Sequence, residues 1–430
     1  MTRVVLRGAR HPGDIAIDDG RIVAIGKVVA EPGDTVIDVS GDIITAGLIN
    51  THHHLYQWIT RGRAIGCNLF DWLVTLYPVW GKLSVEDVHA AATVGLAELA
   101  LTGCTTAADH HYLVPRGDDT VFDAIVDAAR TVGVRLHLSR GSMDLGESSG
   151  GLPPDHVVED RDSILTSTER VIADHHDGEW VNVVVAPCSP FSVTPDLMVE
   201  SAELARRHGL QMHTHLCETI DEQEHCLERF GARPVDVLAE WGWLGDDVWL
   251  AHGIHLDDDE VTRLGAAGTG VAHCPSSNAR LAAGMCRVTD LTAAGVPVGL
   301  GVDGVASNEV GGLFPELRQA LYTARLRELQ PDALMPDDVL HLATRGGADC
   351  LGRGDIGRLE VGAAADLAVW PGDDLGDVRD PITGLVMGPD RRVRHLFVGG
   401  RQTVADGELT GLDVAAARRT LTAAAGRLWD

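Results

Sequence analysis

Residues 210–304 hold four short apolar runs, each stopping at an ionisable side chain: LQMHTHLCE (210–218), VWLAHG (248–253), GVAHCPSSN (270–278) and VPVGLGVDG (296–304). Short apolar runs set apart by helical patterns read as buried strands. Asp257 opens one such helix, through Ala267, and Thr194 caps another, through Arg207. Toward the N-terminus the same reading gives strands at Ile43–Asn50, Thr105–Asp109, Val134–Leu138 and Val181–Ala186. A helix after Ser84 presents Val85, Val88, Ala92, Leu96 and Leu99 on one face. Together with Leu210–His215, Val248–His252, Gly270–His273 and Val296–Val302, these make eight strands. Eight strand–helix repeats over about 310 residues predict an α/β fold of the (β/α)8 TIM-barrel type with long loops, in preference to an open sheet.

The two ends of the chain have a different pattern. VVLRGA (4–9) and DIAIDDGRIVAIG (14–26) are strand-like, and Asp19-Gly20 favours a type I′ hairpin turn. GRLEVGAAADLAVW (357–370) and VRHLFVGGRQTVADG (393–407) read the same way. Neither end alone has enough strands to bury a core, so one small β-domain built from both is the simpler expectation. The expected division is 1–45 and 355–430 for that domain, the latter with a terminal helix over Asp413–Leu428, and 46–354 for the barrel.

The 430 residues carry a formal net charge of −28. That balance argues against nucleic acid and anionic membrane surfaces as partners, because both reward cationic patches. No apolar run approaches the roughly 20 residues needed to span a bilayer, and the N-terminus lacks the apolar core of a signal peptide. The eight cysteines form no CxxC pair and read as reduced thiols, which suggests a cytoplasmic protein. There are 20 histidines but only two lysines, Lys27 and Lys82.

Catalytic groups of such barrels sit at the C-terminal strand ends, and the histidines gather there. The first strand runs into His52-His53-His54, the second into Asp109-His110-His111, the fifth into His213-Thr214-His215 with Glu218 beyond. His252, His273 and Asp303 end the sixth, seventh and eighth. Residues two apart on a strand share a side, so His52 and His54 face the mouth and His53 faces away. Of the second pair His215 is the better ligand, and the deeper His213 reads as a packing or supporting group. His52, His54, His215 and Asp303 are expected to hold one divalent metal, Zn2+ or else Fe2+, with a place left for water. Such a metal lowers the pKa of bound water, so that hydroxide becomes available as nucleophile. Asp303 could accept the water proton, Glu218 could carry a proton to the electrophile and the leaving group, and His252 could orient the nucleophile and stabilise developing charge.

These residues resemble the amidohydrolase superfamily, in its branch of aromatic deaminases and chlorohydrolases. GLINTHHHLYQ (47–57) matches its HxH, HTHLCE (213–218) its His-x-x-Glu, LAHGIHLD (250–257) its sixth-strand His, HCPSSN (273–278) its seventh-strand segment and GVDGVASN (301–308) its metal-binding Asp. The resemblance covers essentially the whole chain. It implies a distorted (β/α)8 TIM barrel, a small β-sandwich formed by both chain termini, one divalent metal and a homo-oligomer. Two-metal members use a carboxylated Lys on the fourth strand, and VNVVVAPCSPF (181–191) has none. The loop SMDLGESSGGLPPDHVVED (142–160) resembles purine-type deaminases. The implied reaction is hydrolytic deamination of a small, purine-like heteroaromatic substrate, with triazine or isoxanthopterin hydrolysis as the alternative. A flat polar ring calls for an amide or guanidinium in its plane and an apolar face above it. Gln57, Trp58, His111, Tyr112, Arg140 and His273 are the expected contacts, whereas Ser276, Ser277 and Asn278 are expected to shape a turn. An inactive scaffold would have lost a ligand or an acid–base residue, and all six of His52, His54, His215, Glu218, His252 and Asp303 are present.

Overall fold

The computed structural model describes residues 2–114 and 117–429; Met1, Pro115, Arg116 and Asp430 lie outside the described residues. The N-terminal strands are β1 (Val4–Arg7), β2 (Asp14–Asp18), β3 (Arg21–Gly26), β4 (Thr35–Asp38) and β5 (Ile43–Ala46). The middle carries β6 (Leu48–Asn50), β7 (Cys104–His111), β8 (Arg135–Ser142), β9 (Val181–Pro187), β10 (Met212–Leu216), β11 (Val248–His252), β12 (Gly270–His273) and β13 (Val298–Leu300). The C-terminal strands are β14 (Leu367–Trp370), β15 (His395–Val398), β16 (Arg401–Ala405) and β17 (Glu408–Leu409).

β6 to β13 lie side by side in chain order, all parallel. The seam is closed just beyond the first and last of them. Thr51 N–H donates to the Leu300 carbonyl at 2.9 Å, and Asp303 N–H donates to the His52 carbonyl at 3.0 Å. The seam thereby sets His52 beside Asp303. Gly301 permits this approach, since a Cβ there would lie 2.9 Å from that of His52.

The run 43–50, read above as one strand, is two. β5 pairs antiparallel with β14 in the terminal domain, and β6 pairs with β7 in the barrel. The break is at Gly47, where a Cβ would meet the Thr105 side chain at 2.2 Å. Both halves are fully buried, so the sequence shows no change of pattern between them.

The termini form two sheets, ordered β3-β2-β1-β4 and β17-β16-β15-β14-β5. Their shared core holds Leu6, Ile15 and Ile22 from one sheet and Ile44, Leu367 and Phe397 from the other, a sandwich packing. Asp19 and Gly20 turn the β2–β3 hairpin with φ of 43° and 75°, as a type I′ turn requires. Among the described residues no helix is long and apolar enough to cross a membrane.

Barrel and sandwich are joined by a buried ion pair. Arg135 Nε and Nη2 donate to Asp366 at 2.8 and 3.2 Å, and Gly399 N–H donates to the same carboxylate at 2.6 Å. Asp366→Ala strands a buried guanidinium, and we expect a stability loss of about 3–5 kcal/mol by denaturant unfolding. A loss below about 1 kcal/mol would give the pair no more weight than a surface contact.

Candidate active site

The carbonyls around the histidines fix which ring nitrogens carry hydrogen. His54 Nδ1 lies 2.6 Å from the His110 carbonyl, and His215 Nδ1 lies 2.7 Å from that of Cys188. A carbonyl only accepts, so each Nδ1 donates and each Nε2 keeps a bare lone pair. His213 Nδ1 donates to the Trp249 carbonyl at 2.9 Å, and its Nε2 must accept from His52 Nδ1 at 2.8 Å. His52 therefore also presents a bare Nε2.

These three lone pairs converge with one carboxylate oxygen. Asp303 Oδ1 is 3.5 Å from His52 Nε2 and 3.4 Å from His54 Nε2, while the Nε2 atoms of His54 and His215 are 3.1 Å apart. Burial lowers the pKa of all three histidines, that of His215 to about 3, so they are neutral. Two bare imidazole nitrogens at 3.1 Å cannot hydrogen-bond each other, whereas a cation between them relieves the repulsion. Three imidazoles and a carboxylate are a donor set that fits a divalent metal such as zinc. His110, which the sequence reading passed over, sits in the same cluster. Its ring stacks on His215 at 4.8 Å, and its Nε2 donates to the Ala186 carbonyl at 2.8 Å.

Glu218 and His252 stand beside this set. His252 Nε2 is 3.5 Å from Glu218 Oε2. Burial pushes the Glu218 pKa up to about 7. Among the histidines of this cluster His252 alone is shifted upward: burial opposes its charge, but Glu218 and Asp303 outweigh that. Glu222 clamps the turn that delivers Glu218, accepting from the N–H groups of Cys217 and Glu218 at 3.1 and 2.9 Å. The backbone at Cys217, His252 and Asp303 is left-handed, with φ of 55°, 75° and 63°. Such conformations are rare outside glycine and concentrate at functional sites.

The site opens into a cleft with about 420 Å³ of empty space, part of it open to solvent. Gln57 and Tyr112, two of the expected contacts, line it. Neither end of the Gln57 amide has a partner among the described residues. Gly304 makes room for that amide, because a Cβ there would fall 1.8 Å from Gln57 Oε1. Trp72, Tyr77, Phe191 and Leu281 give the cavity its apolar walls. Trp72 and Tyr77 come from a helix over Leu69–Trp80, which the sequence reading left unassigned. Six of its seven buried positions, Leu69, Trp72, Leu73, Leu76, Tyr77 and Trp80, repeat at helical spacing and carried the signal.

Four expected contacts lie elsewhere. Trp58 packs against Gly95 and Gly311. His111 faces Tyr56 and Phe122, since strand alternation turns it away from His110. The Arg140 guanidinium is buried and taken up by Glu159 at 2.8 and 3.0 Å and by Ser167 at 3.0 Å. His273 is buried without lining the cavity.

A sequence model of the amidohydrolase family matches residues 43–403. The chain is 49% identical to an 8-oxoguanine deaminase of Pseudomonas aeruginosa, over 98% of this chain and 96% of that protein. It is 37% identical to an isoxanthopterin deaminase of an unknown prokaryotic organism, over 94% and 90%. Its fold superposes on the crystal structure of an atrazine chlorohydrolase of Arthrobacter aurescens complexed with zinc, with TM-score 0.93 and 32% identity over 98% of this chain and 100% of that one. The chain belongs to the amidohydrolase family.

Proposed function

We propose that the protein is a zinc-dependent aminohydrolase that converts 8-oxoguanine and water to urate and ammonia. The observation that carries this reading is Glu218: a buried carboxyl with a pKa near 7, beside the four-atom donor set and facing the same cavity as the unpartnered Gln57 amide. The 49% identity to an 8-oxoguanine deaminase favours that ring over a triazine.

His52, His54, His215 and Asp303 would hold the metal, which when bound supplies Lewis-acid activation of water. Hydrolysis adds the water oxygen to C2, protonates the adjacent ring nitrogen, breaks the bond to the exocyclic nitrogen and releases it as ammonia. Asp303 is the base placed to take a proton from the attacking water. Glu218, titrating near neutrality, holds the proton that goes to the ring nitrogen and then to the departing amine. His252 faces the same cavity and donates to charge developing on the oxygen. Gln57 offers one donor and one acceptor in a single plane, matching the amide edge of the ring, and the walls of Trp72, Tyr77 and Phe191 exclude water from its faces.

The test is release of ammonia, alkylamine or chloride across 8-oxoguanine, guanine, isoxanthopterin and amino-, alkylamino- and chloro-triazines, with metal analysis of the same preparation. We expect stoichiometric metal, and urate formed from 8-oxoguanine faster than any other substrate is consumed. Preferred release of chloride or alkylamine from triazines would establish the alternative instead. Gln57→Leu removes both polar ends of the amide, and we expect KM to rise about 10–100-fold, the effect of leaving bound polar groups unpaired. Metal content should not change; an unaltered KM would remove Gln57 from the substrate contacts.

A further inference from the structure

We propose that Ser277 and Asn278, in the HCPSSN segment, are positioning residues, each fixing the direction of one acid–base side chain. The proposal rests on the site assignment above. Ser277 Oγ–H donates to Asp303 Oδ2 at 2.5 Å, and Asn278 Oδ1 accepts from His252 Nδ1 at 3.0 Å. Both residues are almost wholly buried, at 0% and 2% exposure.

The two contacts sort atoms that would otherwise interchange. With Oδ2 held by Ser277, Asp303 keeps Oδ1 toward His52 and His54, where it also accepts from Gly304 N–H at 2.7 Å. Ser307 Oγ gives longer support, 3.3 Å from Oδ2 and 2.8 Å from Ser277 Oγ. With Nδ1 held by Asn278, His252 keeps Nε2 toward Glu218. A flipped ring would present carbon there. Strand geometry does not supply these directions, because both residues have left-handed backbones at or beyond strand ends.

The clamp is referenced to the loop it serves. Ser277 and Asn278 lie on one short helix, Pro275–Arg280. Ser276 N–H donates to Glu316 at 3.1 Å, and Asn308 Nδ2 bridges Glu316 and the Val302 carbonyl, each at 2.9 Å. The helix is thus tied to the residue preceding Asp303. A segment that only shaped a turn would need neither side chain aimed at the acid–base groups.

The experiment pairs a disabling with a conservative variant at each position. Asn278→Leu is expected to lower kcat about 10–100-fold, the usual effect of removing a group that orients a working side chain. KM and metal content should stay as in the wild type, and the stability cost of the unpaired His252 Nδ1–H should leave the protein folded at the assay temperature. Asn278→Asp keeps an acceptor and should recover most of the loss. In 15N-histidine NMR, the slowly exchanging Nδ1–H signal that disappears in His252→Gln should also disappear in Asn278→Leu and return in Asn278→Asp. Ser277→Ala should weaken metal binding about 10–100-fold in chelator competition, and Ser277→Thr should restore it. Unchanged kcat together with unchanged metal affinity overturns the proposal. So does a kcat loss that follows Tm and is not recovered by the conservative variants. If the wild type deaminates none of the panel, the functional reading fails, while the NMR and metal-competition results still decide this one.

Discussion

Glu218→Gln is expected to keep its metal and to lose roughly 10²–10⁴-fold in kcat, the range supplied by a positioned general acid or base. The substitution changes one oxygen for nitrogen in a side chain that is buried and outside the converging donor set. Among the described residues its carboxylate accepts no hydrogen bond and its one ion-pair contact is His252 Nε2 at 3.5 Å, so little native bonding is lost. What disappears is a group that can take up and release a proton near neutral pH. Ammonia release and elemental analysis on one preparation give both quantities. Retained metal with kcat within about threefold of wild type would show that the proton travels by another route.

The same variant has a signature in stability. Burial raises the Glu218 pKa from 4.5 to about 7 in the folded protein, so between those values the folded state binds more protons than the unfolded one. Taken by itself, Glu218 makes the stability of the metal-free protein fall as pH rises through that window, against the rise that buried neutral histidines such as His215 contribute up to their unfolded pKa. Glu316, also raised to about 7, adds to the slope, as does Asp109. Between pH 4.5 and 7, Glu218→Gln should therefore lose less stability, or gain more, per pH unit than the wild type, while the contributions of Glu316 and Asp109 remain.

The barrel was legible because a buried strand that ends at a catalytic face leaves a sharp mark: an apolar run that stops at histidine or aspartate, as at His215, His252 and Asp303. The period-2 geometry of strands carried the reading further, to His52 and His54 together. It also explains the error at His111, since the same alternation points His110 toward the cluster and His111 away, and no composition signal distinguishes the two. Arg140 was misread because a strand-end arginine looks alike whether it meets a ligand or a carboxylate, and Glu159 is 19 residues away. Gly47 hid the split between β5 and β6 because both sides are buried to the same degree. Trp72 and Tyr77 were missed for a different reason. A helix that roofs a cavity has the same apolar face as a helix that packs on a core. The roles of Ser277 and Asn278 depend on side-chain directions at two left-handed residues, which no periodicity encodes.

The two histidines of HTH provide the sharpest discrimination between holding a metal and supporting a ligand. His215→Ala removes one of three converging Nε2 lone pairs and leaves two imidazoles and a carboxylate, one donor short of a closed set. We expect substoichiometric metal after dialysis and no measurable turnover. His213 has no free nitrogen to give: Nδ1 is spent on the Trp249 carbonyl and Nε2 on His52. His213→Ala leaves the buried His52 Nδ1–H without an acceptor, at a cost of about 1–3 kcal/mol. It also frees the His52 ring to take the other tautomer, and loss of such a supporting contact weakens metal binding about 10–100-fold. The two variants should therefore separate in chelator competition, His213→Ala binding stoichiometrically with reduced affinity and His215→Ala failing to saturate. Retention by His215→Ala with loss by His213→Ala would exchange their roles. That outcome would require the His213 ring to abandon both of its present hydrogen bonds, and would place the metal one layer deeper in the barrel.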